Sequence, residues 1–220
     1  MKSTVIGSAA VLAAALGIGL CGCGADAGPP GVTPTANVSA PAPDNSALNA
    51  TIAGYIQRNG IVETRVRRGD PGSPTVTLPV PEGWRPAGDE SPEWAYDAIV
   101  YAGPDAGGYK PSVVAVMSKL TGNVDPATII ALAPGELQNL PGYQAVESGA
   151  AGTFAGYQDY LLGGTWVQDA RTKVVTQRTV VIPGSDGLYV LQLNGDALAQ
   201  QAALIDAATA MIDQQTTITP

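Results

Sequence analysis

The sequence predicts an α+β fold, a sandwich in which one curved, mainly antiparallel sheet carries helices on its faces or ends. Three observations predict it. Periodic segments run in the order helix, strands, helix, a run of strands, closing helix, which is the pattern of a layered α+β domain. The strands of the long run are separated by turns too short for crossover connections, so they must pair antiparallel. The last segment, Asp196 to about Gln214, repeats Leu198, Ala202, Ile205, Ala208 and Ile212 at helical spacing, with Leu204 and Met211 widening the stripe. No repeat period runs through the chain, which excludes a solenoid.

The first folded element is a short amphipathic helix on Leu48, Ile52, Tyr55 and Ile56, capped at Asp44 or Asn45 and stopped by Asn59-Gly60. Ile61 to Arg68 alternates as a strand, Asp70-Pro71-Gly72 turns, and Thr75 to Leu78 runs into the rigid segment Pro79 to Pro86. Strands follow at Trp94 to Tyr101 and Ser112 to Leu120, the second apolar on both faces and therefore central. Asp125-Pro126 is a cap followed by proline in the first turn, and it opens a helix whose buried stripe is Ile129, Ile130, Ala133 and Leu137. Pro134-Gly135 predicts a break inside that helix and Pro141-Gly142 its end. Gln144 to Gly149, Phe154 to Gln168, Thr172 to Ile182 and Leu188 to Leu193 read as four meandering strands, the last two joined by the turn Pro183 to Gly187.

Ahead of the domain lies an export leader: a basic start at Lys2, an uncharged core from Val5 to Leu20, and small residues before a cysteine. Leu20-Cys21-Gly22-Cys23 reads as a bacterial lipoprotein cleavage site. Cys23 is the acylated residue because Gly22 directly precedes it, whereas Cys21 would follow the bulky Leu20. Residues 1–22 are then the signal peptide. Residues 23–43, made of Gly, Pro, Ala, Thr and Ser with almost no large apolar side chain, form a disordered tether. Residues 44–215 form a single domain. The expected location is the outer face of the cell membrane, with the anchor supplied by diacylglyceryl and palmitoyl chains on Cys23.

Composition removes several classes of function. Losing the leader takes one of 11 basic side chains and none of 19 acidic ones, leaving a net charge of −9 that excludes nucleic acid as a partner and argues against a basic membrane-binding face. The chain has no histidine, so neither a histidine triad nor a histidine zinc site can form. Pro183-Gly184-Ser185-Asp186-Gly187 lacks the spacing of a nucleophile elbow. No phosphate loop, dinucleotide fingerprint or calcium loop is present, so no cofactor and no metal is expected.

The lipobox, the Pro/Thr linker, the turn Val80-Pro81-Glu82-Gly83-Trp84, and a hairpin from Gly156-Tyr157-Gln158-Asp159-Tyr160 to Gly164-Thr165-Trp166 resemble the mycobacterial LpqN/LpqT lipoprotein family. The resemblance covers nearly the whole mature chain. It implies a PsbP/Mog1-like α/β/α sandwich, residence in the cell envelope, and association with trehalose-type glycolipid and with the periplasmic part of mycolate-lipid exporters. It carries over no catalytic residue, and only Cys23 transfers by position.

The leading functional reading is therefore a non-enzymatic, lipid-anchored protein that binds an amphiphilic envelope glycolipid, docks on a lipid transporter, or both. The alternative is a protein-interaction adaptor without a small ligand. Trp84, Trp94, Tyr96, Tyr101, Tyr109, Tyr157, Tyr160 and Trp166 are the candidate ligand lining, although a strand aromatic facing a helix is more often core. Asp89, Glu90 and Glu93 would have to serve any carboxylate-dependent hydrolase, yet they flank Ser91-Pro92 in an acidic loop of the solvated kind. Arg65, Arg67 and Arg68 could meet a lipid phosphate or an acidic transporter loop, but as outward charges on an edge strand they also discourage edge pairing. Replacing Cys23 with Ser is expected to remove the acyl mass from the native protein and shift it out of the membrane fraction. Cys21→Ser should leave both unchanged, as intact-mass spectrometry would show.

Overall fold

The computed structural model describes residues 50–146 and 148–220. The leader, the tether and Cys23 lie outside the described residues, as do Leu48 and the caps expected at Asp44 or Asn45. Nine strands form one sheet: β1 (Val62–Val66), β3 (Trp84–Pro86), β4 (Asp97–Tyr101), β5 (Ser112–Thr121), β6 (Gln144–Ala145), β7 (Ala150–Phe154), β8 (Tyr157–Gln168), β9 (Arg171–Pro183) and β10 (Leu188–Leu198). The order across the sheet is β3-β4-β5-β10-β9-β8-β6, with β1 also on β5 and β7 also on β8, and every pairing is antiparallel. A second, two-stranded sheet joins β2 (Thr75–Thr77) to β11 (Thr217–Thr219).

Strand alternation sorts the side chains onto two faces, and each face has its own cover. On one face Met117, Val180, Ile182, Leu191 and Leu193 pack against Ile205, Ala208 and Ile212 of α4 (Ala202–Gln215), with Val76 of β2 in the same cluster. On the other face Leu120, Val181, Leu188 and Val190 pack against Ile52 and Ile56 of α1 (Ile52–Arg58) and Ile129 of α2 (Pro126–Leu132). Leu137 of α3 (Gly135–Gln138) covers Leu162, Trp166 and Val175 on that second face. This is the expected α/β/α sandwich. As expected, β5 is central, buried on both faces along its first half.

Local chemistry explains the boundaries. Asp125 caps α2 by accepting the N–H groups of Ala127 and Thr128, and the expected break at Pro134-Gly135 separates α2 from α3. Gly60, at φ +61°, ends α1 in a Schellman turn in which Ile61 N–H donates to Ile56 O at 3.1 Å. The cap of α1 is Thr51, whose Oγ1 accepts Gly54 N–H at 3.1 Å.

Four expectations need correction. Phe154 to Gln168 is not one strand: Ala155 and Gly156 both take positive φ and turn β7 into β8. The residues from Tyr157 to Trp166 therefore lie along one strand, not on two arms of a hairpin. The closing helix does not begin at Asp196, because β10 continues to Leu198 and a 3-10 turn, Ala199–Gln201, intervenes before α4. Finally, the rigid segment Pro79 to Pro86 ends in strand β3. The last strand of the chain, β11, spans Thr217–Thr219. Ile205, fully buried between α4 and the sheet, should carry much of that face: Ile205→Ala is expected to cost about 3 kcal/mol in urea unfolding. Truncating the exposed neighbour Asp206 to Ala should change stability by less than about 0.5 kcal/mol.

Candidate functional site

Strand β9 carries a cation on each face of the sheet, and each cation organises a buried polar cluster. Towards α4, Arg178 donates to Asp159 of β8 and to Asp213 of α4, the latter at 2.7 Å, with the Phe154 ring 4.6 Å from the guanidinium carbon. Asp159 is 2% exposed. This acid of the Gly156-Tyr157-Gln158-Asp159-Tyr160 segment is thus a structural counter-ion that fastens β8 to β9, and through Arg178 to α4. Burial pushes the Asp213 carboxyl up, and Arg178 draws it partly back.

On the opposite face, Lys173 donates to Asp196 of β10 at 2.8 Å. Its ammonium sits 4.8 Å from the ring centre of Tyr109 and 5.9 Å from that of Trp166. The Tyr109 hydroxyl donates to the other oxygen of Asp196. Burial pushes the Asp196 carboxyl up, against the pull of Lys173 and then Tyr109. It pushes the Tyr109 phenol up as well, with the charge of Asp196 adding to the shift. Beside this cluster the sheet face stays polar: Gln177 Nε2 donates to Asn194 Oδ1 at 3.0 Å. Gln177 Oε1, Thr179 Oγ1 and the Trp166 indole N–H are buried without a partner.

From Tyr109 the network reaches the surface. Gln201, 8% exposed, donates through Nε2 to the carbonyls of Ala106 at 2.9 Å and Tyr109 at 3.0 Å, and its Oε1 accepts Leu198 N–H. Between the two segments it ties together opens a concavity of about 380 Å³, lined by Ala106, Gly107, Gly108, Leu198, Ala203 and Leu204 with Gln200 and Gln201. Gly107 takes φ +61°, a conformation that lets the loop turn under the start of α4. Two further voids, near Leu137 and near Ile212, hold about 10 Å³ each, room for one water and not for an alkyl chain.

The aromatics singled out in the sequence do not converge on one pocket. Trp84 and Tyr101 meet edge to face, 5.8 Å apart, in the α4-side core, which also holds Tyr96 and, at its margin, Tyr157. The Tyr96 hydroxyl accepts Val76 N–H and donates to Pro74 O. Trp94 lies half-buried beside Ala98 and Val114, while Tyr160 and Trp166 pack with Leu137 on the far face. None of the eight is among the residues that line the concavity; Tyr109 is tied to its wall through the carbonyl that accepts from Gln201. Arg68 pairs with Asp97 and lies over the Tyr96 ring, and Arg65 donates to Glu93 O. Glu90 pairs with Lys110 and Arg85, which hold its carboxyl below the usual range. The concavity itself was not found from sequence; its signal was Gly107-Gly108 between two strands, which has no ligand-specific chemistry.

By architecture the domain is an α/β/α sandwich with a concavity at the rim of its sheet. The chain belongs to the LpqN lipoprotein family: the family model described as "Probable lipoprotein LpqN" matches residues 48–219. It is 48% identical over 172 residues to Lipoprotein LpqN of Mycobacterium tuberculosis, covering 78% of this chain and 75% of that protein. The crystal structure of LpqN "involved in cell envelope biogenesis" of M. tuberculosis matches with a TM-score of 0.73 at 47% identity, over 78% of this chain and 99% of that one. The yeast Ran-binding protein Mog1p aligns at TM-score 0.43 and 15% identity, over 71% of this chain and 95% of that one.

Lys173→Met is expected to destabilise the domain by about 3 kcal/mol at pH 7, because it strands the Asp196 carboxylate in a buried site. Since burial already raises Asp196, the loss should shrink as pH falls and the carboxyl becomes neutral. Urea titrations at pH 7 and pH 4.5 give the comparison.

Proposed function

We propose that this chain is a lipid-anchored protein of the outer membrane face that binds an amphiphilic envelope glycolipid of trehalose type without transforming it. In this reading Cys23 holds it to the bilayer, and it presents the bound lipid to the periplasmic domain of a mycolate-lipid exporter. The observation that carries the reading is the rim concavity. Its volume falls in the range of small-ligand sites. Its lining is of two kinds: Leu198, Leu204, Ala106 and Ala203 suit an alkyl segment, while Gln200, Gln201 and the Gly107-Gly108 backbone suit hydroxyl groups at its mouth. Membership of a lipoprotein family supports the anchored location. A tether such as residues 23–43 raises the effective concentration of the domain near membrane partners, so modest intrinsic affinity suffices.

One observation favours a second reading, an adaptor without a small ligand: the voids near Leu137 and Ile212 hold about 10 Å³ each, too little for a lipid tail, which would find room at the rim. The two separate in one experiment. Native mass spectrometry of the protein purified from its host should show co-purifying glycolipid. Ala203→Trp, which fills the concavity from an exposed position, should weaken binding of a trehalose monoalkyl ester at least about tenfold, or about 1.4 kcal/mol, with the fold intact by circular dichroism. No recovered lipid together with unchanged, weak ester binding would leave the adaptor.

A further inference from the structure

The chain enters α1 where its backbone is pressed against α3. A Cβ on Gly135 would lie 2.0 Å from the carbonyl oxygen of Ala50, so glycine is required for the two segments to pass. The next residue, Glu136, reaches across this crossing: the N–H of Ile52, 84 positions away in sequence, donates to its Oε1 at 3.1 Å. The second oxygen, Oε2, is buried and has no hydrogen-bond partner among the described residues. One carboxyl group therefore grips the first amide of the helix that, through Ile52 and Ile56, covers Leu120, Leu188 and Val190 of the sheet.

Among the described residues no charged side chain compensates it. The ionisable groups of the elements around it are Tyr55 and Arg58 on α1, Asp125 at the start of α2, Tyr143 after α3, and Tyr160 and Lys173 on the sheet face below. Arg58 lies back along its own helix against Gly54. The Asp125 carboxylate accepts from the first turn of α2, and its backbone N–H donates to the Tyr55 hydroxyl at 3.2 Å. Tyr143 donates to Gly163 O, and Lys173 is held by Asp196. What acts on Glu136 is burial, which pushes its carboxyl up to about 7, against the backbone amides of Glu136 itself, Ile52 and Ala53.

We propose that Glu136 is a proton-operated latch on α1: with the carboxyl neutral, α1 lies closed on the sheet, and ionisation loosens α1 and exposes the sheet face beneath. The unpartnered oxygen is the reason. A neutral carboxyl is tolerated there, whereas a buried carboxylate oxygen without a donor draws water between α1 and α3. A carboxyl whose pKa is higher in the closed state than its ordinary 4.5 contributes closing free energy that is complete below that ordinary value. The contribution is lost as pH rises through about 7. The latch needs no ligand; any use of it in lipid entry rests on the binding reading above.

Hydrogen exchange of the full mature chain, with no lipid present, tests the latch separately from that reading. After normalisation for intrinsic exchange, protection of the α1 amides should fall roughly 25-fold between pH 5.5 and pH 8, the change that a rise from 4.5 to about 7 produces. In Glu136→Gln, a permanent mimic of the neutral acid, protection should stay at the low-pH value throughout. Protection of α1 that ignores pH in the native chain overturns the proposal, and so does an equal fall in the glutamine variant. A parallel fall in α4 also overturns it, because general loosening is not a latch.

Discussion

A sheet covered on both faces must bury whatever its strands carry, and here the central strand β9 carries charge on each side. Arg178 and Lys173 are 8% and 3% exposed, and a lone buried cation costs several kcal/mol. The fold meets this constraint by bringing an aspartate to each from another strand, Asp159 from β8 and Asp196 from β10. Asp213 adds a second acid to Arg178 from α4. The ion pairs thereby specify which strands neighbour β9 and how α4 lies across them. Apolar burial supplies the driving force, but a register slip of one residue would leave both cations unpaired as well as turning the core outward.

Much of this architecture was legible because it is written locally. Asp125-Pro126 announces a helix by cap chemistry, Pro134-Gly135 a break by backbone geometry, and Pro183 to Gly187 a turn by composition. Other features depend on tertiary context. Ala155-Gly156 turns a hairpin with an alanine at positive φ, which no propensity favours and which the flanking pair Phe154 and Tyr157 enforces. Asp196 looks like a helix start because Asp is a good cap, yet it belongs to the strand because Lys173 and Tyr109 claim both of its oxygens. Thr51 replaces the expected caps of α1 for a similar reason: the crossing with Gly135 fixes where the helix can begin.

The site was less legible than the fold. Large aromatics were the natural candidates, and the sheet distributes them over both faces, where Trp84, Tyr96 and Tyr101 fill one core and Trp166 another. Their chemistry is consumed by packing. The surface feature left over is made from alanine, glycine, leucine and glutamine, residues without a chemical signature. It exists because Gln201 holds the loop of Ala106 and Tyr109 against the start of α4 without filling the space beside it.

The two carboxyls buried on the helix-covered face show how the same burial can have opposite consequences. Asp196 and Glu136 are both pushed up by desolvation. Asp196 has a cation and a phenol within hydrogen-bond reach, so ionisation there is compensated. Glu136 has backbone amides alone, whose partial charges offset only part of the desolvation. The response of this face to pH is therefore concentrated at one point, the junction through which the chain enters the domain. The rim network that shapes the concavity is anchored instead on Asp196, whose two oxygens are held by Lys173 and Tyr109. A pH change near neutrality should thus move α1 while leaving the Gln201-bridged wall in place, so that cover and site are mechanically separable parts of one sheet.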